Sequence, residues 1–313
     1  MKLDAKTLSY LVLPPMMWAG NTVVGRVLVD HVPPVLMNTL RWALVAAILA
    51  PWGWRVLRDQ AALRQRLPYL ALIGALGVGS YNALQYLALQ TSSPINVTLI
   101  GASMPMWMML VGALGFGQAF TARQALGALL CMSGVVLVMA QGRWEVLRQV
   151  HLVPGDLLML LASLVWALYS WLLARPPSSM TRGPTWDWAG FLWLQVLFGL
   201  LWAVACSGVE ASWRAEAVSW PQGPAAWWTT LGGLLFIALG PSIVAYRGWG
   251  LGVQAVGPTV AAFFGNLIPV FAALWSWLLL GQTPRWYHPC ALLLIATGIA
   301  WSSRTTARPS GQA

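Results

Sequence analysis

The chain has 313 residues, of which 58% are hydrophobic and only 8% charged, and its formal net charge is +10. That is too little charge to cover a soluble domain of this size, so the composition excludes one and makes the lipid bilayer the covering partner. Nucleic acid is excluded as a partner too, because no basic run lies in a soluble segment, and the basic excess reports instead on orientation in the bilayer.

A spanning helix needs about 20 mostly apolar residues. Ten such runs follow one another: 7–29, 34–54, 67–90, 93–117, 121–141, 155–175, 187–207, 226–250, 255–280 and 285–303. The first follows Lys2 and Lys6. It is too long for a signal-peptide core and lacks a small-residue cleavage pattern, so it is expected to stay as an uncleaved span. The breaks carry turn chemistry: Pro33-Pro34, Ser92-Ser93-Pro94 and Gly281-Gln282-Thr283-Pro284. The polar gaps 142–154 and 208–225 are too short to fold alone. Cys131, Cys206 and Cys290 lie in apolar runs without pair spacing and read as small apolar residues.

The chain repeats itself. At an offset of 164, Gln90 falls on Gln254, Pro94 on Pro258, Gly101 on Gly265, Pro105 on Pro269, Gly117-Gln118 on Gly281-Gln282 and Gly134 on Gly298. Gly and Pro mark specific backbone events, so their recurrence at one offset predicts two copies of one helical unit. Near the start of each copy, Trp18-Ala19 matches Trp166-Ala167 at an offset of 148. The expected units are 1–141 and 155–305, joined by a loop over 142–154 and followed by a cytoplasmic tail, 306–313. Five spans per unit force the copies to cross the membrane in opposite senses. The fold class is therefore all-α integral membrane protein: ten transmembrane helices as two inverted five-helix repeats around a central cavity.

With a cytoplasmic N-terminus, Lys2, Lys6, Arg55, Arg58, Arg64, Arg66, Arg123, Arg175, Arg182, Arg247, Arg304 and Arg308 fall inside, against Arg26, Arg143, Arg148, Arg214 and Arg285 outside. Twelve against five predicts that both termini face the cytoplasm, in a cell's inner membrane.

The sequence offers little for catalysis. His31, His151 and His288 lie near span ends, and all the acids fall in loops or at helix ends. No metal-ligand spacing, nucleophile motif or phosphate loop occurs, and no cofactor is expected. Asp156, after Pro154-Gly155, reads as a helix N-cap. Proton- or sodium-coupled carriers commonly keep a carboxylate inside the membrane, so transport without an intramembrane acid is expected.

The spans do carry uncharged polar and aromatic groups at helical spacing: Trp18 with Asn21, Tyr81 and Asn82 with Gln85 and Tyr86, and Ser103 with Trp107. The second half adds Trp166 with Tyr169, Tyr246 with Trp249, and Phe263 with Asn266. Polar groups avoid lipid, so these stripes face the interior, either as interhelical hydrogen bonds or as the lining of a cavity. Their recurrence on corresponding helices favours a cavity for a small-molecule substrate with an apolar side chain. Arg41, inside the second span, is either a structural residue or a contact for a substrate carboxylate.

Trp18-Ala19-Gly20-Asn21, Leu40-Arg41-Trp42, Pro105 and Gly117-Gln118, with Gly155-Asp156-Leu157-Leu158, Trp166-Ala167-Leu168-Tyr169, Pro269 and Gly281-Gln282 in the second half, resemble the drug/metabolite transporter superfamily in its ten-helix EamA branch. The resemblance implies a basket-like fold, alternating access and export of metabolites, and in character it is nearest to aromatic amino acid exporters. The family usually closes its fourth and ninth spans with Gly-Glu, where this chain has Gln118 and Gln282. Two alternatives are a multidrug carrier, which would want an acid in the cavity, and a non-transporting intramembrane enzyme or scaffold, which would have no use for matched stripes.

Overall fold

A computed structural model describes residues 4–28, 32–182, 185–213 and 221–303, and no strand occurs among them. The expected tail 306–313, and Lys2, His31, Arg214, Glu216, Arg304 and Arg308, lie outside these residues. The first half contains α1 (Ala5–Leu28), α2 (Pro34–Gly53, prolonged by a tighter turn Trp54–Arg58), α3 (Gln60–Ala88), α4 in two pieces (Pro94–Ala102 and Met104–Phe116) and α5 (Ala122–Met139). The second contains α6 (Pro154–Ala174), α7 (Trp188–Trp213), α8 (Pro224–Val256), α9 in two pieces (Pro258–Gly265 and Ile268–Leu280) and α10 (Tyr287–Ser302). Seven helices are long and apolar enough to cross a membrane, and the bent pair of α4 makes an eighth. The other two expected runs are helical as well: α10 is apolar but only 16 residues long, and α1 has 24 residues with Pro14 and Pro15 inside it. Leu114, Leu201 and Leu293 are 80%, 71% and 68% exposed on the outer face. Surfaces of that kind are stable in lipid and not in water.

Three boundaries differ from expectation for identifiable reasons. Helix α3 begins at Gln60, because Asp59 accepts the amide hydrogen of Ala62 at 3.1 Å and caps it. Helix α4 bends by 44° at Ser103, where Pro105 removes a backbone donor from the following turn. Asp156 is not the N-cap of α6 but its third residue, reaching back to the amide of Val153 at 2.9 Å.

The 164-residue offset recurs in the local geometry. A π-helical turn spans Gly74–Ser80 in α3 and another spans Ala238–Val244 in α8. The break of α4 has Ser103 donating to the Ile100 carbonyl at 3.0 Å, and that of α9 has Leu267 donating to Phe264 at 3.0 Å. Gly117 (φ 63°) and Gly281 (φ 68°) end their helices in the left-handed conformation. The glutamine after each donates six residues back, Gln118 to Gly112 and Gln282 to Ser276. Even the next helix starts match, with the Gln124 side chain accepting from the Thr121 amide and the His288 ring from the Arg285 amide, both at 2.9 Å. His288 thus reaches back from the first turn of α10 to brace the chain that enters it.

The helix pairings are also symmetric. In α5 and α10, Gly127 abuts Gly298 and Ser302 while Gly134 abuts Ala291 and Ile295, an antiparallel register. In α2 and α7, Thr39 donates to the Ala203 carbonyl at 3.0 Å while Ala46 accepts from the Trp193 indole at 2.9 Å, again antiparallel. Equivalent helices of the two copies therefore run in opposite directions, as inversion requires. The remaining main pairings exchange the copies: α1 packs on α8 as α6 packs on α3, and α1 on α9 as α6 on α4.

Candidate functional site

Because α1 and α6 each pack on two helices of the opposite half, their aromatic residues meet at the centre. Trp166 of α6 is the hub. Its ring lies 5.4 Å from Trp18, 4.9 Å from Tyr81, 5.1 Å from Tyr169, 5.8 Å from Tyr246 and 5.6 Å from Trp249, centroid to centroid. Six of the expected site residues, from four helices, thus form one cluster. Trp166, Tyr169, Tyr246 and Trp249 are buried, whereas Trp18, Tyr81, Gln85 and Trp107 are half-buried. The centre is a sealed stack of rings with an accessible margin.

Every indole or phenol hydrogen bond recorded in this cluster is to a neutral group, as an interior far from water demands. The Tyr246 hydroxyl donates to the Gly77 carbonyl at 2.6 Å, with Asn82 beside it. Trp18 donates to the Pro241 carbonyl at 3.1 Å. Both carbonyls belong to π-helical turns, which interrupt the regular hydrogen-bond ladder. Trp249 donates to Ser170 at 3.1 Å, and the Tyr169 hydroxyl accepts from Gln195 at 2.9 Å.

The other expected residues fall around this cluster. Ser103 accepts from the Trp107 indole at 3.2 Å, a separate pair at the bend of α4. Tyr86 packs in a second apolar group with Leu28, Val32, Met37 and Ile237. Phe263 is fully buried, and Asn266 lies beside the Cys131 thiol with its Nδ2 unpartnered. Asn21 is half-buried, with no partner for its Oδ1. Asn96, seven residues before Ser103, donates to Asp156 at 2.9 Å at the start of α6.

Arg41 is only 2% exposed. Its Nε donates to Ser242 at 2.5 Å, its guanidinium lies 4.8 Å from the Trp42 ring, and Trp42 packs edge-on against Tyr246 at 5.0 Å. Sequence reasoning missed Asn38, Trp42, Ser170, Gln195 and Ser242. For Asn38 and Trp42 a signal existed, since Asn38 sits three residues before Arg41 and four before Trp42, the spacing that brings helical side chains together.

At the far ends of the helices, guanidinium groups stack on tryptophans: Arg58 on Trp54, Arg66 on Trp186, Arg175 on Trp171 and Arg247 on Trp188, at 4.4, 4.3, 5.8 and 4.9 Å. The antiparallel packing puts all four at one end of the molecule, where amphipathic side chains suit a membrane–water interface.

A duplicated, wholly helical fold with a lipid-suited outer face and an uncharged aromatic centre shared by both halves defines a multi-pass membrane transporter. The chain belongs to the EamA-like transporter family, whose model matches residues 5–140 and again 153–304. It is similar to the "Uncharacterized transporter YyaM" of Bacillus subtilis, 25% identical over 78% of this chain and 75% of that protein. An "Uncharacterized transporter" of Archaeoglobus fulgidus is 23% identical over 95% and 97%. The "Aromatic amino acid exporter YddG" of Ancylobacter novellus is 23% identical over 78% of each chain. A solved crystal structure superposes with a TM-score of 0.71 at 20% identity, over 95% of this chain and 94% of that one, a likeness of fold.

Proposed function

We propose that this transporter exports small neutral metabolites, amino acids with aromatic or large apolar side chains, by alternating access. The observation that carries the reading is the cluster around Trp166: buried, uncharged, aromatic, and built from helices of both halves. Such a site favours an apolar body through dispersion and ring stacking and offers no carboxylate to an organic cation. The similarity to a protein named as an aromatic amino acid exporter points the same way. The repeat units are 1–141 and 155–305 about the loop 142–154, with both termini cytoplasmic and the inner membrane as the site of action. Rocking of one unit against the other about the central rings would expose the site to each side in turn. Counterflow in proteoliposomes with labelled Trp, Phe, Met and Thr, and a phosphorylated control, tests the reading. Exchange of Trp, Phe or Met without the control is expected, and exchange of none of the amino acids overturns it.

A further inference from the structure

We infer that Asn38, Arg41 and Trp42 form a polar pole at the edge of the aromatic cluster that takes the carboxylate of the solute. The inference rests on the export reading above and adds the group by which the solute is recognised.

The three residues occupy one face of α2, at positions i, i+3 and i+4. Each is buried, at 0%, 2% and 0% exposure, and each keeps a polar atom without a partner: Asn38 both Oδ1 and Nδ2, Arg41 Nη1, Trp42 Nε1. One buried polar atom left unpaired is costly, and four within a single helical turn are not what packing alone selects. The indoles of the central cluster show the contrast, since Trp18 and Trp249 have both found acceptors.

The chemistry of the set identifies its ligand. Three of the four atoms donate, and one of them carries a full positive charge. Of the five carboxylates whose side chains are described, none answers that charge: Asp4, Asp59, Asp156 and Asp187 accept from groups elsewhere, and Glu145 is exposed. An uncompensated cation buried in a membrane protein calls for an anion. A single guanidinium suits a carboxylate, whereas a phosphate dianion would call for further cations. The remaining atom, Asn38 Oδ1, is an acceptor beside the donors, as the ammonium of a zwitterion would need.

The position fits as well. Ser242, which donates to the Ile237 carbonyl at 2.8 Å, accepts from Arg41 Nε and holds the guanidinium in place while leaving Nη1 free. The same guanidinium stacks over Trp42, which touches Tyr246, which touches Trp166. A solute with its side chain among the rings would thus present its carboxylate to α2.

The test compares, in proteoliposomes of the full chain, whichever of tryptophan, phenylalanine or methionine the wild type moves with its carboxamide and its decarboxylated amine. The wild type is expected to prefer the amino acid by about ten-fold or more, because the analogues leave the buried donors unpaired. Arg41→Gln should bring that ratio near one while retaining flux of the amine, which also reports that the variant is folded. Asn38→Leu should lower the ratio in the same direction. Equal wild-type handling of amino acid, amide and amine overturns the inference and leaves the export reading standing. So does an Arg41→Gln variant whose three fluxes fall by the same factor. Should Arg41→Gln not fold, the wild-type ratio decides alone. Absence of flux for every probe overturns the export reading and this inference together.

Discussion

Trp18 and Trp166, equivalent residues of the two sequence copies, meet each other at the centre of the molecule, edge to face, with ring centroids 5.4 Å apart and planes at 84°. A pseudo-two-fold axis between the halves passes beside that contact, so any rocking of one half against the other shears it. The two rings are not equivalent in packing, however, since Trp166 touches five other aromatic rings and Trp18 two.

Trp166→Ala is therefore expected to damage folding as well as transport, because emptying a buried tryptophan site costs about 3–5 kcal/mol. Trp107, half-buried, donates only to Ser103. Trp107→Ala should remain monodisperse and lose most counterflow. Size-exclusion chromatography with a flux assay separates the outcomes, and normal transport by Trp107→Ala would remove that residue from the solute's route.

The π-helical turns give a second test. Tyr246→Phe keeps its ring contacts with Trp42, Trp166 and Tyr169 but strips the Gly77 carbonyl of its 2.6 Å partner. Trp18→Phe does the same to the Pro241 carbonyl. A buried acceptor left unpaired costs about 1–3 kcal/mol, so both variants should unfold at lower temperature. An unchanged melting midpoint for Tyr246→Phe would show that the hydroxyl does not support the turn.

The pairing of α5 with α10 depends on absent side chains. A Cβ at Gly298 would lie 2.6 Å from the Cys131 sulfur and 2.7 Å from the Gly127 carbonyl, while one at Gly115 would meet nothing within 4 Å. Gly298→Leu should force the helices apart and abolish recovery of folded protein. Gly115→Ala should be neutral or raise stability by about 0.5–1 kcal/mol, the conformational cost of a helical glycine. Folded Gly298→Leu of wild-type stability would contradict the close packing.

The repeat was legible in the sequence because Gly and Pro fix backbone events wherever they stand: Pro105 and Pro269 the breaks, Gly117 and Gly281 the helix ends. The aromatic cluster was legible because helical spacing puts Trp166 with Tyr169, and Tyr246 with Trp249, on common faces. The partners were not. Ser242 meets Arg41 and Gln195 meets Tyr169 only through tertiary packing that no local pattern encodes. Asp156 was misplaced by a similar gap, since the extended backbone at Val153 decides which residue caps and which reaches back.

Gln118 accepts from Arg175 at 3.0 Å, and the same arginine donates to the Phe116 carbonyl at 3.0 Å, tying the end of α4 to the end of α6. Gln118→Glu replaces a neutral acceptor by a charged one in the same place. The pair is exposed, so the gain should not exceed about 1 kcal/mol and should vanish in high salt. Thermal melting at two ionic strengths checks this, and stabilisation that persists at high salt would argue against an electrostatic origin.

The last prediction concerns energy coupling. Among the acids whose side chains are described, the buried one is Asp156, which sits in the first turn of α6 rather than near a span centre. Its partners all donate: the Ser92 hydroxyl, the Asn96 amide at 2.9 Å and the Val153 backbone amide at 2.9 Å. A carboxylate held this way joins the turn between α3 and α4 to the start of α6, and protonation would take away an acceptor the structure uses. Asp156 is thus suited to holding the fold rather than to ferrying protons. Carriers that need a charge inside hydrocarbon accept a cost of roughly 2.5–3.5 kcal/mol for it, and the central cluster here contains no acid. Substrate-loaded proteoliposomes at equal pH and zero membrane potential should therefore show downhill flux, and an imposed pH gradient should not concentrate substrate. Asp156→Asn should lower thermal stability, since the amide turns one acceptor into a donor facing donors, while leaving the flux of the surviving folded fraction indifferent to the pH gradient. Accumulation of substrate against its own gradient, driven by pH alone and lost in Asp156→Asn, would overturn this assignment.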